Sequence, residues 1–179
     1  MDRRHFLKIG IMAAVGGLMP APLWAKKRPL VHSTRSLAFY NPHTFEILDI
    51  DYCVRGKYNE EALNEINYIL RDYRTDEIFP IDTKLLDLLY VVSIKLNNRE
   101  PFQVISGYRS PSTNAMLRKK SKMVAQNSLH LHGQAIDICL PKTSLKRLRN
   151  TVIGMNAGGV GYYPNPGFIH VDIGRIRYW

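Results

Sequence analysis

The sequence predicts an α+β domain in which helices pack on a small antiparallel sheet. Two observations support this prediction: two long helical patterns come early in the chain, and short strand-like runs separated by turn residues dominate its second half. The chain has 179 residues, of which 45% are hydrophobic, so it is long enough and apolar enough to bury one core.

The first predicted elements are two strands in "LAFYNPHTFEILDIDYCV", on either side of the turn signal at 41–44. The preceding residues 26–36 are basic and irregular, and they predict a flexible lead-in. The domain is therefore expected to span residues 37–179.

Two helices are predicted next. In 59–74, apolar residues recur every three or four positions behind Asn59, which is a natural N-cap. In 80–98, Asp82 is the expected cap, and apolar residues lie almost all round the helix, which predicts a central buried helix.

The second half alternates short strands and helices. We expect strands at 102–107 and 133–141, the second of alternating character, and a basic helix that begins at Ser110-Pro111. A further helix is expected at 144–155, and then two strands around the turn cluster at 164–167.

Residues 1–25 have the features of an export signal of the twin-arginine type. Arg3 and Arg4 precede an apolar run from Ile9 to Ala25, which glycines and prolines interrupt. That run is shorter than the roughly 20 apolar residues of a membrane span. We expect cleavage after Ala25, no membrane span in the mature chain, and a periplasmic or cell-envelope location; an uncleaved anchor is the alternative.

The formal net charge of +10 indicates an anionic partner outside the cytoplasm. No nucleic-acid motif is present, so a cell-wall polymer or the outer face of the membrane is favoured over nucleic acid. Cys53 and Cys139 form no Cys-x-x-Cys pattern, and their distance in sequence leaves a disulfide between them open.

Three side chains in the second half are candidate metal ligands: His130, Asp137 and His170, all on strand-like segments. A turn at Gly133 would bring His130 and Asp137 together. Two imidazoles and one carboxylate with an open fourth position make a common catalytic zinc site. From spacing alone, a histidine is more often a surface or core residue than a ligand, so both roles stay open. His130 and His132 could form a metal pair, or their spacing could be accidental.

Three motifs occur in a characteristic order: "SGYRSP" at 106–111, "SLHLHGQAID" at 128–137 and "GFIHVD" at 167–172. Together they resemble the motifs of the zinc D-Ala-D-Ala peptidases, a family that includes the hedgehog-type domain. "GGVGYYP" and "DIGRIRYW" are more specifically similar to exported murein endopeptidases of this group. The resemblance covers nearly all of 37–179 and implies the hedgehog/D-Ala-D-Ala peptidase-like fold.

The resemblance implies that His130, Asp137 and His170 hold one zinc ion. His132 then becomes a neighbour of the site or a surface histidine. Arg109 would stabilise the oxyanion that develops on the scissile carbonyl, or hold a substrate carboxylate.

Supporting roles follow from the same motifs. Ser106 and Tyr108 would orient Arg109 or contact substrate, and Ser128 would hydrogen-bond the first ligand. Turn or capping roles are the alternatives for these three residues. Tyr162 and Tyr163 would line the cleft or pack in the core.

One position departs from the family pattern. Gly167 stands where many members carry the general base, so Asp172 and His132 are the local substitutes. Asp172 lies two residues beyond His170, on the same face of a strand, and would accept a proton or orient His170. The identity of the base stays open.

The resemblance therefore implies an exported zinc-dependent murein endopeptidase that cleaves D,D or meso-diaminopimelate cross-links in peptidoglycan, acting as a monomer. A D,D- or L,D-carboxypeptidase that trims stem peptides is one alternative. A non-catalytic wall-binding module that keeps the fold is the other.

Overall fold

A computed structural model describes residues 34–179, which form one eight-stranded sheet and four α-helices. The predicted export signal at 1–25 and the lead-in up to residue 33 lie outside the described residues. The first strand begins at Thr34, so the last three residues of the predicted lead-in belong to the sheet. In the described part of the chain, no helix is long and apolar enough to cross a membrane.

The strands follow in chain order: β1 Thr34–Asn41, β2 Glu46–Val54, β3 Lys57–Tyr58, β4 Phe102–Ser106, β5 Ala135–Cys139, β6 Gly159–Tyr163, β7 Phe168–Asp172 and β8 Arg177–Tyr178. The helices are α1 Glu60–Ile69, α2 Thr83–Leu96, α3 Pro111–Lys120 and α4 Leu145–Ile153. All the long predicted elements are present. The helix expected at 59–74 is shorter than predicted and ends at Ile69.

The α+β class is confirmed, and the predicted small antiparallel sheet is matched in part: most strand pairs are antiparallel, but the sheet is larger than expected and mixed. The sheet has eight strands in the order β3-β2-β1-β4-β5-β7-β6-β8. β1 pairs in parallel with β4, and β6 pairs in parallel with β8. The long connection through α1 and α2 makes the first parallel pair possible, because parallel neighbours need a crossover rather than a hairpin.

The predicted N-caps are confirmed. The Asn59 side chain accepts hydrogen bonds from the backbone N–H groups of Glu61 and Ala62, and Asp82 accepts one from Lys84. Ser110 caps α3 in the same way, with Pro111 in its first turn. These short polar side chains satisfy backbone donors that a helix start leaves free.

The core lies between one face of the sheet and the helices α1, α2 and α4. Leu85, Leu86 and Leu89 of α2 are fully buried against it. Ile94, in contrast, is 51% exposed, so the expectation that α2 is buried all round is wrong. The helix packs on the sheet with one side and meets solvent with the other.

β5 is a central strand that is buried on both faces rather than on one. Ile136 and Ile138 point toward the helices, so Ala135 and Asp137 point to the opposite face. That opposite face carries the candidate site.

Both cysteines are free thiols, with Cys53 buried and Cys139 partly exposed. The disulfide that the sequence left open is therefore absent from residues 34–179.

Candidate metal centre

The three predicted ligands, His130, Asp137 and His170, converge on one point. Asp137 in β5 lies directly opposite His170 in β7, because these strands pair in antiparallel register. His170 Nδ1 is 2.9 Å from Asp137 Oδ1, and His130 Nε2 is 3.3 Å from the same oxygen. The two imidazole nitrogens are 3.2 Å apart.

His130 reaches the site from a 3₁₀ turn, Leu129–His132, and not from a strand as the sequence suggested. Gly133 ends this turn with φ +62°, which confirms the predicted turn between the first two ligands. A Cβ at Gly133 would lie 2.2 Å from the carbonyl oxygen of Pro80. Both the backbone conformation and the close approach therefore require glycine there.

The outer nitrogen of each histidine has a hydrogen-bond acceptor. His130 Nδ1 donates to the carbonyl oxygen of Gly107 at 2.7 Å, and His170 Nε2 donates to Asp172 Oδ2 at 2.9 Å. A neutral imidazole carries one proton, so in their neutral forms the inner nitrogens of both rings would present lone pairs. Two lone pairs and a carboxylate oxygen thus face each other, which only a proton or a cation can stabilise.

The donor set and its dimensions fit a tetrahedral zinc ion. Donors about 2.1 Å from one ion at tetrahedral corners lie about 3.4 Å apart, and the three separations here are 2.9, 3.2 and 3.3 Å. Histidine that donates its other N–H to a carbonyl or carboxylate is also the usual arrangement at protein zinc sites.

The pKa values of the cluster show how strongly its charges interact. Burial lowers the pKa of His130. Burial opposes protonation of His170 too, but hydrogen bonds to Asp137 and Asp172 outweigh it and raise the pKa of His170 to about 9. Burial opposes ionisation of Asp137, yet its two histidine neighbours hold its pKa well below the usual range. The site therefore keeps a carboxylate at its centre.

Asp172 lies behind His170 and is completely buried. Its carboxylate accepts hydrogen bonds from His170, from the backbone N–H groups of Gly159 and Gly174, and from both terminal nitrogens of Arg177. Its arginine partner is thus Arg177. Burial opposes its ionisation, but these donors hold its pKa below the usual range.

Arg109 is buried beside the cluster, not exposed in a surface ion pair. Its Nη2 donates to Asp137 Oδ2 at 3.2 Å and to Ser106 Oγ at 3.2 Å. Ser106 therefore helps to orient Arg109, which is one of the two roles expected for this serine. Burial lowers the pKa of this guanidinium. The backbone around it is fixed as well, because Asp72 accepts from the N–H of Ser110 at 2.8 Å.

Three predicted supporting residues lie elsewhere or act differently. Tyr108 does not line the cleft; its ring stacks on Phe79 with centroids 4.9 Å apart. Ser128 borders the cleft, but the hydrogen bond expected from it to His130 is made by Gly107. His132 is exposed and outside the ligand group, so it is the surface histidine that the sequence left as an option.

The two tyrosines of β6 point to opposite faces. Tyr162 packs against the core, whereas Tyr163 lines the cleft and stacks on Phe168 with centroids 4.8 Å apart. The alternation of side chains along a strand explains why one of the pair is in the site and the other is not.

Sequence reasoning missed Trp179 and Arg177. The Trp179 ring is 5.4 Å from that of His170, and its Nε1–H donates to Tyr163 Oη at 2.8 Å. Gly161 leaves room for it, since a Cβ there would lie 2.7 Å from the indole. One sequence signal was present: residues 177 and 179 are two apart, so on a strand their side chains would lie on the same face.

The cluster borders a cleft of about 340 Å³. One wall consists of Tyr163, Phe168 and Trp179, and the loop at 121–127 contributes to the other. Among the described residues, the only carboxylate that lines this cleft is Asp137.

A buried His–Asp–His group that opens onto a cleft, with an arginine beside it, is the arrangement expected of a protein of the metallopeptidase class. Residues 30–179 match the M15-type peptidase family model described as "Peptidoglycan L,D-endopeptidase MepK", and the chain belongs to this family.

Curated relatives agree with this assignment. The peptidoglycan L,D-endopeptidase MepK of Escherichia coli K12 is 39% identical over 181 residues, which covers 99% of this chain and 97% of the relative. The same protein in Shigella flexneri has the same identity and coverage. The probable peptidoglycan L,D-endopeptidase MepK of Haemophilus influenzae is 35% identical over 179 residues, which is 99% of this chain and 95% of the relative.

Proposed function

We propose that this protein is an exported, zinc-dependent endopeptidase that hydrolyses an L,D bond in the peptide cross-links of peptidoglycan. His130, Asp137 and His170 would hold the zinc ion. One observation carries the proposal: the outer nitrogen of each histidine has an acceptor, at Gly107 or Asp172, so the inner nitrogens and an Asp137 oxygen face one point.

The relatives' names bear on which bond is cut. A bond from D-alanine to the D-centre of diaminopimelate is a D,D bond. A bond from the L-centre carboxyl of one diaminopimelate to the D-centre amine of the next is an L,D bond. Since the relatives are named L,D-endopeptidases, the diaminopimelate cross-link is favoured over the D,D cross-link.

A zinc ion in this site would supply the Lewis acidity that activates water and polarises a peptide carbonyl. Arg109 lies beside it with one terminal nitrogen already held by Asp137 and Ser106. Arg109 lines the cleft, where its remaining donors would stabilise negative charge on the scissile carbonyl oxygen. Because the guanidinium is buried and held, this stabilisation needs little rearrangement.

Asp172 would act by orienting His170 rather than as the base. Its oxygens already accept five hydrogen bonds, and the residue does not line the cleft. Gly167 offers no side chain, and among residues 34–179 no carboxylate other than Asp137 borders the cleft. We therefore propose Asp172 as a positioning residue and assign no side chain as the base.

Export is proposed from the first 25 residues, with their paired arginines and short apolar run. A substrate in the cell wall requires the same location. Replacement of Arg3 and Arg4 by lysine should leave precursor in the cytoplasm, as fractionation followed by immunoblotting would show. Normal export of this variant would contradict the twin-arginine route.

The activity is tested by incubating the purified full-length protein with cross-linked muropeptides, with and without a chelator, and separating the products by chromatography. We expect a cross-linked dimer to yield two monomers and the chelator to stop this. Release of a terminal amino acid without loss of cross-links would instead indicate a carboxypeptidase. Tight binding without any cleavage would indicate a wall-binding module.

The ligand set is tested by His170→Ala, which should lose both bound zinc and activity. His132→Ala is the matched control, because His132 is exposed and outside the ligand group. It should keep both properties. Unchanged zinc content in the His170 variant would refute the proposed site.

A further inference from the structure

Charge is divided unevenly along this chain. Counting Lys, Arg, Asp and Glu, residues 34–100 carry eight cations and twelve carboxylates, a net of −4. Residues 101–179 carry eleven cations and only two carboxylates, a net of +9. Those two carboxylates are Asp137 and Asp172, both buried in the candidate metal centre. Every exposed ionic side chain on residues 101–179 is therefore positive.

The fold separates these two parts in space. In the strand order β3-β2-β1-β4-β5-β7-β6-β8, the first three strands come from the acidic part and the other five from the basic part. The cleft lies in the basic part, because Asp137 and His170 belong to β5 and β7. Its surroundings thus lack exposed carboxylates from the strands and helices that build it.

Four cations are concentrated at one edge of the cleft. Arg118, Lys119, Lys120 and Lys122, here called the basic rim, are all exposed at the end of α3 and the start of the next loop. None of them forms an ion pair with a carboxylate of residues 34–179, whereas Lys142 does so with Glu100. Cations are favoured near a helix C-terminus because of the helix dipole. That preference alone does not explain why four of the five residues at 118–122 are cations.

The basic rim adjoins the cleft wall, although its four side chains do not line the cleft themselves. Leu117, Ser121 and Met123, which alternate with the rim residues in sequence, line the cleft. Asn114 fastens the loop to α3, because its amide donates to the carbonyl oxygens of Ala125 at 3.1 Å and Gln126 at 3.3 Å. A polymer that entered the cleft would therefore pass next to the rim.

We propose that the basic rim is a docking surface for the carboxylates of polymeric peptidoglycan, next to the cross-link in the cleft. This proposal rests on the proposed function. Stem peptides around a cross-link carry free carboxylates at regular intervals, and four unpaired cations complement them. The rim would hold the insoluble polymer while the metal centre acts on one bond, so it should matter for sacculi and not for a short soluble substrate.

The test compares two double variants of the full-length protein. Lys119→Gln with Lys120→Gln removes two rim charges. Lys146→Gln with Arg147→Gln removes two equally exposed charges from α4, which packs on the other face of the sheet. Binding to purified sacculi is measured by co-sedimentation in chelator, so that no hydrolysis occurs, and kcat/KM is measured on a soluble muropeptide dimer with zinc.

We expect the rim variant to bind sacculi about 2- to 20-fold more weakly at low salt, since each exposed ion pair contributes a small free energy that salt screens. The difference should vanish near 1 M salt, and kcat/KM on the soluble dimer should stay within about twofold of wild type. The α4 variant should bind like wild type. If the rim pair lowers thermal stability, Lys122→Gln, outside the helix, replaces it and should weaken binding in the same way.

Four results would overturn the proposal. They are equal binding by the rim variant and wild type, equal losses in both double variants, undiminished binding to sacculi whose carboxylates have been amidated, and a loss confined to anionic phospholipid vesicles. Failure of the proposed function is separate, because it would show as no cleavage of the soluble dimer by wild type.

Discussion

Asp172→Asn tests whether the buried carboxylate behind His170 controls metal binding. In the native site, Asp172 accepts the His170 Nε2–H at 2.9 Å and two hydrogen bonds from Arg177. Asparagine has nearly the same shape, but it is neutral and one of its two terminal atoms donates. It leaves Arg177 without a counter-charge and weakens the orientation of His170.

Two magnitudes follow. Loss of one partner of a buried ion pair costs about 3–5 kcal/mol. Because the Arg177 side chain is 33% exposed and regains water, we expect the free energy of unfolding to fall by only about 1–3 kcal/mol. Loss of the acceptor behind a metal-bound histidine typically weakens metal affinity by about 10- to 100-fold, and we expect zinc affinity to fall within that range.

The assay is a competition for zinc between the protein and a chromophoric chelator, with urea unfolding of the metal-free protein alongside. Asp87→Asn is the matched control, because Asp87 pairs with Arg35 and accepts hydrogen bonds from Tyr52 and Tyr58. These residues lie outside the ligand group and the cleft. The control should lose stability while its zinc affinity stays within about twofold of wild type.

The reasoning is refuted if folded Asp172→Asn binds zinc as tightly as wild type. It is also refuted if Asp87→Asn loses as much zinc affinity, because the effect would then come from general destabilisation.

Three further predictions concern Arg109, the aromatic wall of the cleft, and Asp72, which accepts a hydrogen bond from the backbone of Ser110. Arg109→Lys should lower kcat by about 100-fold with zinc content unchanged, because a lysine cannot keep the two held contacts and also donate to the oxyanion. Gly161→Ala should displace the indole of Trp179, with which the new Cβ would clash at 2.7 Å, and shift its fluorescence emission in a Trp24→Phe background. Asp72→Asn should cost about 1–2 kcal/mol at pH 7 in urea unfolding, and this cost should shrink as pH falls below about 4.

The sign of the Asp72 effect follows from its pKa. Burial opposes its ionisation, but hydrogen bonds from Thr113, Ser110 and Arg74 outweigh burial and lower the pKa. A depressed native pKa contributes stability above the unfolded-state value, and that stability is lost as pH falls through the native value. A cost that does not change with pH would contradict this account.

Matched controls accompany the other two variants. Gly154→Ala introduces a methyl group at ordinary contact distance, 3.4 Å from the nearest atom, and should leave the emission of Trp179 unchanged. Arg74→Lys changes an exposed arginine outside the cleft and should leave kcat unchanged. A similar loss in Arg109→Lys and Arg74→Lys, or an unshifted emission in Gly161→Ala, would count against the corresponding prediction.

Local features were predictable because they depend on neighbours in sequence. Asn59, Asp82 and Ser110 cap helices as expected, since an N-cap needs only a short polar side chain and the next two or three N–H groups. The turn at Gly133 was predictable for the same reason. Where a prediction depended on distant strands, it failed: the parallel β1–β4 pair was not visible in the residues of either strand.

At the candidate metal centre, too, some features were predictable from the sequence and others depend on tertiary contacts. The ordered motifs identified His130, Asp137 and His170 as candidate ligands. Their partners were not accessible to sequence reasoning, because one is a backbone carbonyl at Gly107, and another, Arg177, meets Asp172 through the end of the chain. The burial of Tyr108 against Phe79 also depends on a contact between separate segments.

The sequence by itself determined the class of fold, the helix starts, the candidate ligand residues and the concentration of positive charge in residues 101–179. Each of these is a property of residue type and spacing. Only the tertiary structure decided which nitrogen of each histidine faces inward, that Asp172 is held behind His170, and that Trp179 and the basic rim border the cleft. Those facts arise from the register of β5 with β7 and from the packing of the last residues on β6, where residues far apart in the chain come into contact.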